Sequence, residues 1–285
     1  MNPSPTTPGR AVTARRGHRA LPVFFSMLGL LALAGVIFLK TRRHGDQLHG
    51  SAMGTRWTLQ WRGDSPPPAD LKEEVAAVLE KWEQVLSQWR PGSDLSRYNG
   101  GAPATPELSR VLSLADEIKR ESNGAFDHHL LEKVHAAGFG PEGSGLDLSS
   151  IGKGFAVDRV CERLRELGMD DFVFALAGEV RAVGGWPVEI EKPLLNGYEM
   201  DHVIPLKNQA VATSGNYRQF RETKAGLVSH IIDPRTGEPV IRPPSSVTVI
   251  AEDCATASAW ATALFVLGPE FSDYPRELTV SWQHP

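Results

Sequence analysis

Residues 255–267, Ala-Thr-Ala-Ser-Ala-Trp-Ala-Thr-Ala-Leu-Phe-Val-Leu, carry no charged side chain and are apolar at nearly every position. A helix that is apolar all round cannot lie on a surface and has to be enclosed by other elements. The segment from Ala255 to Leu267 is therefore expected to be a buried helix. With 285 residues, 41% of them hydrophobic and 22% charged, the chain has the ordinary composition of a globular protein. A formal net charge of -4 gives no basic field, which disfavours nucleic acid as a partner. Only two cysteines occur, Cys161 and Cys254, far apart and in no CxxC pair. That excludes a disulfide scaffold and a thiolate zinc site.

From about residue 46 to 285 the chain reads as one α/β or α+β unit, of one or two lobes, with Ser65-Pro66-Pro67-Pro68 as a loop. Val75, Val78, Leu79, Trp82 and Leu86 recur at helical spacing and predict an amphipathic helix over Val75 to Trp89, whose aromatic residues are assigned to the core. A second helix is expected from Lys153 to Leu167. Phe172 to Leu176, Val203 to Leu206 and Val247 to Ala251 have the composition of strands.

The N-terminus is a separate object. Residues 1–20 hold Arg10, Arg15, Arg16 and Arg19 and no acidic residue, Leu21 to Leu39 are almost wholly apolar, and Lys40, Arg42 and Arg43 follow. At ~1.5 Å per residue the apolar run is long enough to span a bilayer core. Ala32-Leu33-Ala34 before Gly35 also fits the cleavage pattern of a signal peptide. The run continues through Val36-Ile37-Phe38-Leu39, which favours an uncleaved transmembrane anchor over 21–39. Residues 1–20 would then be a cytoplasmic basic segment and the remainder would lie outside the cytoplasm.

Several familiar signals do not fit. Gly138-Phe139-Gly140-Pro141-Glu142-Gly143 matches GxGxxG but follows a helical pattern and places Pro where a phosphate-binding helix should begin, so it is read as a surface loop. His128, His129 and His135 lack metal-ligand spacing, and the adjacent pair is expected to diverge. Neither a GxSxG elbow nor a Walker A sequence is present.

What remains is an ordered series of polar and glycine-rich patches. They are Ser51-Ala52-Met53-Gly54-Thr55; Ser87-Gln88-Trp89 with Ser93 to Asn99; Gly124-Ala125-Phe126-Asp127; and Leu146-Asp147-Leu148-Ser149-Ser150-Ile151-Gly152-Lys153-Gly154. Ala177-Gly178-Glu179-Val180-Arg181, Ala212 to Tyr217, His230-Ile231-Ile232-Asp233-Pro234-Arg235-Thr236-Gly237 and Ala257 to Gly268 follow. The series resembles the ApbE family of FAD:protein FMN transferases over about residues 48–270. The resemblance implies an α+β, T-fold-like, two-lobed flavin transferase domain, here behind a single N-terminal transmembrane helix. It implies FAD as substrate, magnesium as metal and an acceptor protein whose Thr receives FMN while AMP is released. Met53, Trp89, Ala125, Phe126, Asp127, Asp147, Lys153 and Ile231 match positions that contact FAD, and His230 matches the histidine that would orient or deprotonate the acceptor hydroxyl.

The residue chemistry is compatible. Cleaving a pyrophosphate needs a cation and backbone donors close to phosphate; Gly152 and Gly154 would permit that approach, and Lys153 at a helix start would add charge. Asp233 before Pro234 is read as capping a turn. The family's metal position holds an Asp followed four residues later by Thr, with a backbone carbonyl matched by Ser150. Here Thr262 is retained but the Asp position is Ser258. Three classes therefore stand: an active transferase with an altered metal site, a non-catalytic FAD-binding protein, and an FAD pyrophosphatase.

Overall fold

The computed structural model describes residues 46–63, 66–223 and 226–285, with side chains described outside 222–227. The basic segment 1–20 and the anchor or signal 21–39 lie outside the described residues, as does Ser65. No helix among the described residues is long and apolar enough to cross a membrane.

The elements run β1 (Asp46–Ala52), β2 (Thr55–Trp61), α1 (Leu71–Leu86), α2 (Asp94–Asn99), α3 (Pro106–Glu121), α4 (Leu131–Ala136), α5 (Ser149–Glu166), β3 (Phe172–Leu176), β4 (Glu179–Val183), β5 (Gly185–Glu191), β6 (Met200–Lys207), β7 (Ala210–Gly215), β8 (Phe220–Thr223), β9 (Gly226–Ser229), β10 (Ser246–Ala251), α6 (Cys254–Leu267) and β11 (Thr279–Gln283). Seven strands form one antiparallel sheet in the order β1-β2-β3-β4-β7-β10-β11, and β5–β6 and β8–β9 are separate hairpins. At its centre the sheet has a narrow seam: β4 meets β7 only through Val180↔Val211 and Arg181↔Ala210.

Strand alternation explains the layers. On β3, Phe172, Phe174 and Leu176 face the main core with α1, α3, α5 and α6. Val173 and Ala175 face the other side, where Trp186, Val188, Ile190 and Leu206 of the β5–β6 hairpin cover them. Both faces being buried, β3 is apolar throughout. The described residues thus hold two buried cores on opposite faces of one sheet.

The expected buried helix is α6, enclosed by β7, β10, α3 and α5. Asp253 caps it, its side chain accepting from the Thr256 amide (2.8 Å), and Gly268 at φ 93° ends it. Helix α1 stops at Leu86, short of the expected Trp89, because Ser87 turns to extended backbone and its carbonyl accepts from the Ser93 and Ser96 hydroxyls. Helix α5 begins at Ser149, a turn before the expected Lys153, and carries Gly152 and Gly154 inside it. Tertiary packing here overrides their weak helix propensity. Cys161 and Cys254 are both buried and free.

Candidate functional site

The tight turns Met53–Gly54, between β1 and β2, and Ala177–Gly178, between β3 and β4, lie at the same end of the sheet. All four residues have positive φ, including the non-glycines Met53 (50°) and Ala177 (54°). Side-chain-bearing residues held in this region concentrate where the surrounding structure needs a particular backbone course. The start of α5 comes to the same end.

Helices α5 and α6 cross there at close range. A Cβ on Gly154 would stand 2.4 Å from the Cys254 carbonyl oxygen and 2.9 Å from the Ala255 Cα. A Cβ on Gly152 would touch Leu86 at 3.5 Å. Gly154 thus makes room for the backbone of α6, a packing role that the sequence reading did not include, whereas Gly152 meets Leu86 only at ordinary contact distance. The crossing is pinned by Asp158 of α5, whose carboxylate accepts from the Cys254 amide (2.9 and 3.0 Å) and the Ala255 amide (2.9 Å) and pairs with Arg181 of β4. Burial nevertheless lifts the Asp158 carboxyl to about 6.

Of the three residues expected to hold a metal, the pinned crossing puts Ser150 and Ser258 in contact, while the Thr262 hydroxyl donates to the Ser258 carbonyl at 3.3 Å. The Ser258 hydroxyl donates to the Ser150 carbonyl at 3.1 Å, and Thr262, one turn further along α6, lies 3.2 Å from the Ser214 hydroxyl. A further group, read in the sequence only as part of the Ala177–Arg181 patch and given no role, reaches Ser258: Oε1 of Glu179 lies 3.4 Å from the Ser258 hydroxyl. Its other oxygen, Oε2, is buried and has no hydrogen-bond partner among the described residues. Burial raises the Glu179 carboxyl above its usual range while the field of Lys153 opposes the rise. One carboxylate, one carbonyl and two hydroxyls are an all-oxygen donor set, which suits a hard divalent cation such as magnesium.

Lys153 sits one turn into α5, its Nζ donating to the Ser149 carbonyl at 3.2 Å. Its charge acts on Glu179 and on His230, which also feels Asp147. Nδ1 of His230 faces the Gln219 carbonyl at 3.0 Å, so Nδ1 carries the hydrogen and Nε2 is left as the basic nitrogen. Loss of hydration, ahead of the Lys153 charge, depresses the imidazole below its ordinary value. Next to it Ile231 is buried. Asp233 accepts from the Arg235 amide (3.0 Å) and pairs with its guanidinium (2.7 Å), the turn-capping role expected of it. Asp147 is buried, with Oδ1 accepting from the Ser149 amide (2.7 Å) and Oδ2 without a partner among the described residues.

The remaining expected contacts fall into two groups. Met53 donates its amide to Glu83 (3.0 Å), whose other oxygen pairs with Arg90 (3.0 Å). Trp89 is 55% exposed whereas Trp82 is buried edge-on against Phe155. Of the two aromatic residues assigned to the helix core, only Trp82 is there. Ala125 and Phe126 are both 1% exposed, so their side chains are core and only their backbone can face a ligand. Asp127 pairs with Lys119 at 2.8 Å.

The adjacent histidines do not diverge as expected. The rings of His128 and His129 are 4.4 Å apart, because the chain there is neither helix nor strand. Ligand atoms of Asp127, His128 and His129 lie within 4.8 Å of one another, yet Lys119 already occupies the Asp127 carboxylate. The GxGxxG stretch is a loop after α4, as expected, and its Phe139 packs edge-on against His230.

The sequence profile described as the ApbE family matches residues 53–145 and 141–274. The FAD:protein FMN transferase of Haemophilus influenzae is 30% identical, over 85% of this chain and 87% of its own length. That of Vibrio cholerae is 31% identical, over 85% and 88%. Among solved structures, the apo form of Pseudomonas stutzeri flavinyl transferase ApbE superposes with a TM-score of 0.70 at 28% identity, covering 79% of this chain and 85% of that one.

Proposed function

The chain belongs to the ApbE family, and from that premise we propose that it is an FAD:protein FMN transferase which moves FMN from FAD to a Thr hydroxyl of an acceptor protein. The hydroxyl oxygen bonds to the phosphorus on the flavin side, the bridging P–O bond breaks, and AMP leaves with the electron pair. His230 takes the hydroxyl proton at Nε2, the nitrogen that the Gln219 contact leaves basic. Its lowered pKa keeps it neutral and able to accept at pH 7. Lys153, at half-buried depth, offers a fixed positive charge to the phosphates. The N-terminus of α5, whose first amide donates to Asp147 Oδ1, adds the positive end of the helix dipole. Trp89 offers an exposed flat face to an aromatic ring of the substrate.

Magnesium would be held by Ser150, Ser258 and Thr262, and when bound it would supply positive charge against the pyrophosphate oxygens. The observation that carries the reading is the position of Lys153, whose charge reaches both the proposed base His230 and the oxygen cluster at Glu179. A basic N-terminus followed by the apolar run 21–39 supports attachment to a membrane with the catalytic domain outside the cytoplasm.

The test is incubation of the full-length protein with FAD, magnesium and an acceptor protein, read by intact mass and by chromatography of nucleotides. The acceptor should gain the mass of FMN as AMP appears. AMP without a mass gain would assign the site to hydrolysis by water, and bound FAD without AMP would assign it to binding alone.

A further inference from the structure

We propose that Glu179 supplies the anionic ligand to the divalent cation of this enzyme, taking the part that a carboxylate at position 258 would otherwise play. The inference rests on the reading that the enzyme works with such a cation. The Ser258 hydroxyl lies 3.1 Å from the Ser150 carbonyl and 3.4 Å from Glu179 Oε1, so the carboxylate arrives at the same hydroxyl as the carbonyl. A single hydroxyl proton is shared between two acceptors, and of the carboxylate it reaches only Oε1. Glu179 Oε2 remains buried and unpartnered among the described residues. Leaving a buried carboxylate oxygen unpaired is costly, and a cation is the group that removes the cost. Lys153 does not do so by contact: its Nζ is directed to the Ser149 carbonyl at 3.2 Å, and no ion pair joins it to Glu179 within 4 Å among the described residues.

The carboxylate is also held in place. Glu179 opens β4 directly after the left-handed turn Ala177–Gly178 and pairs with Leu176. Two residues on, Arg181 is tied to Asp158, the same carboxylate that anchors the first amides of α6. Glu179, Ser150 and Ser258 are therefore fixed to one another through a shared set of contacts, as a ligand group for magnesium needs. The side chain reaches from a strand to a helix, so its extra methylene relative to Asp spans the gap that a residue on α6 would not have to cross.

The test measures metal binding itself. Full-length protein with bound FAD and no acceptor is titrated with Mn2+, free ion being read from its electron paramagnetic resonance signal, and bound Mn2+ is then displaced with Mg2+. Flavin fluorescence checks FAD occupancy in each variant, and unfolding without metal checks the fold. Glu179→Gln should weaken Mn2+ binding at least tenfold, and Ser258→Asp placed in the Glu179→Gln background should recover it. Unchanged affinity in Glu179→Gln would overturn the proposal, and so would a loss that Ser258→Asp fails to recover, because Glu179 would then only prop the site. Wild-type protein that takes up no Mn2+ would instead remove the cation from the functional reading, and the present proposal with it.

Discussion

Nδ1 of His230 lies 3.0 Å from the carbonyl oxygen of Gln219, and this one contact decides which imidazole nitrogen can act as a base. Because the imidazole is depressed by burial, the turnover number should rise with pH only up to a point below the ordinary imidazole value of 6.5 and stay flat above it. His230→Gln should lower the turnover number by about 10² to 10⁴ and erase that acidic limb, with FAD affinity nearly unchanged. A pH–rate profile in which the limb survives the substitution would assign it to another group.

Trp89 and Trp82 offer a paired contrast. Trp89→Ala should weaken FAD binding by about tenfold, the effect of losing ~1–1.5 kcal/mol of aromatic contact, and leave thermal stability alone. Trp82→Ala should cost ~3–5 kcal/mol of stability as a buried aromatic deletion. Calorimetric FAD titration and denaturant unfolding of both variants separate the two roles.

Gly154→Ala should destabilise the protein by at least ~1–3 kcal/mol, because the added methyl meets backbone rather than a movable side chain. It should also spread α5 from α6 and so weaken metal uptake by a residue that offers no ligand atom. Urea unfolding together with Mn2+ titration measures both effects, and a neutral outcome in each would show that the crossing is looser than its contacts imply.

His128, 2% exposed with Nδ1 unpaired, is lowered by burial to about 4. An unfolded chain takes up this proton first as pH falls, so the stability linked to His128 is present above 6.5 and is lost on the way down to about 4. The loss is at most ~3 kcal/mol. Asp158, raised to about 6, works oppositely: the stability linked to its protonation is present below the unfolded value of ~4 and is lost as pH rises through about 6. Comparing wild type with His128→Phe at pH 7 and pH 4.5 isolates the histidine, and the variant should gain on the wild type at the lower pH.

Strand β1 begins at Asp46, so removal of residues 1–45 should abolish sedimentation with membranes while leaving FAD affinity within twofold. A start as late as Gly50 would cut into β1 and should lower stability. Weaker FAD binding by the chain that starts at Asp46 would give the N-terminal segment a part in the site.

Much of this was legible in the residues because one strong local signal carried it. Strand β3 was read with its observed bounds, and α6 followed from its lack of any charged face. The donors Ser150, Ser258 and Thr262 were read from the family pattern, and of these the Ser150 carbonyl and the Ser258 hydroxyl are in contact. Glu179 was not singled out, since a glutamate at a strand start resembles any surface residue until the sheet order brings it beside α6. The packing role of Gly154 was missed for a related reason: a glycine that admits phosphate and one that admits a helix look alike in sequence. The exposure of Trp89 depends on Ser87 ending α1, a cap formed with Ser93 and Ser96 that helical periodicity does not reveal.

The narrow seam between β4 and β7 bears on the order in which the molecule is built. Asp158 and Cys254 are 96 residues apart in the chain, and contacts of such separation form late because a long loop must close first. On a ribosome, everything through β4 can emerge while α6 is still unmade, so Ser150 and Glu179 wait for Ser258 and Thr262. The oxygen cluster is then assembled only once α6 has emerged, and a chain stalled or clipped before residue 254 lacks the pinned crossing. Incomplete copies are thereby silent by construction.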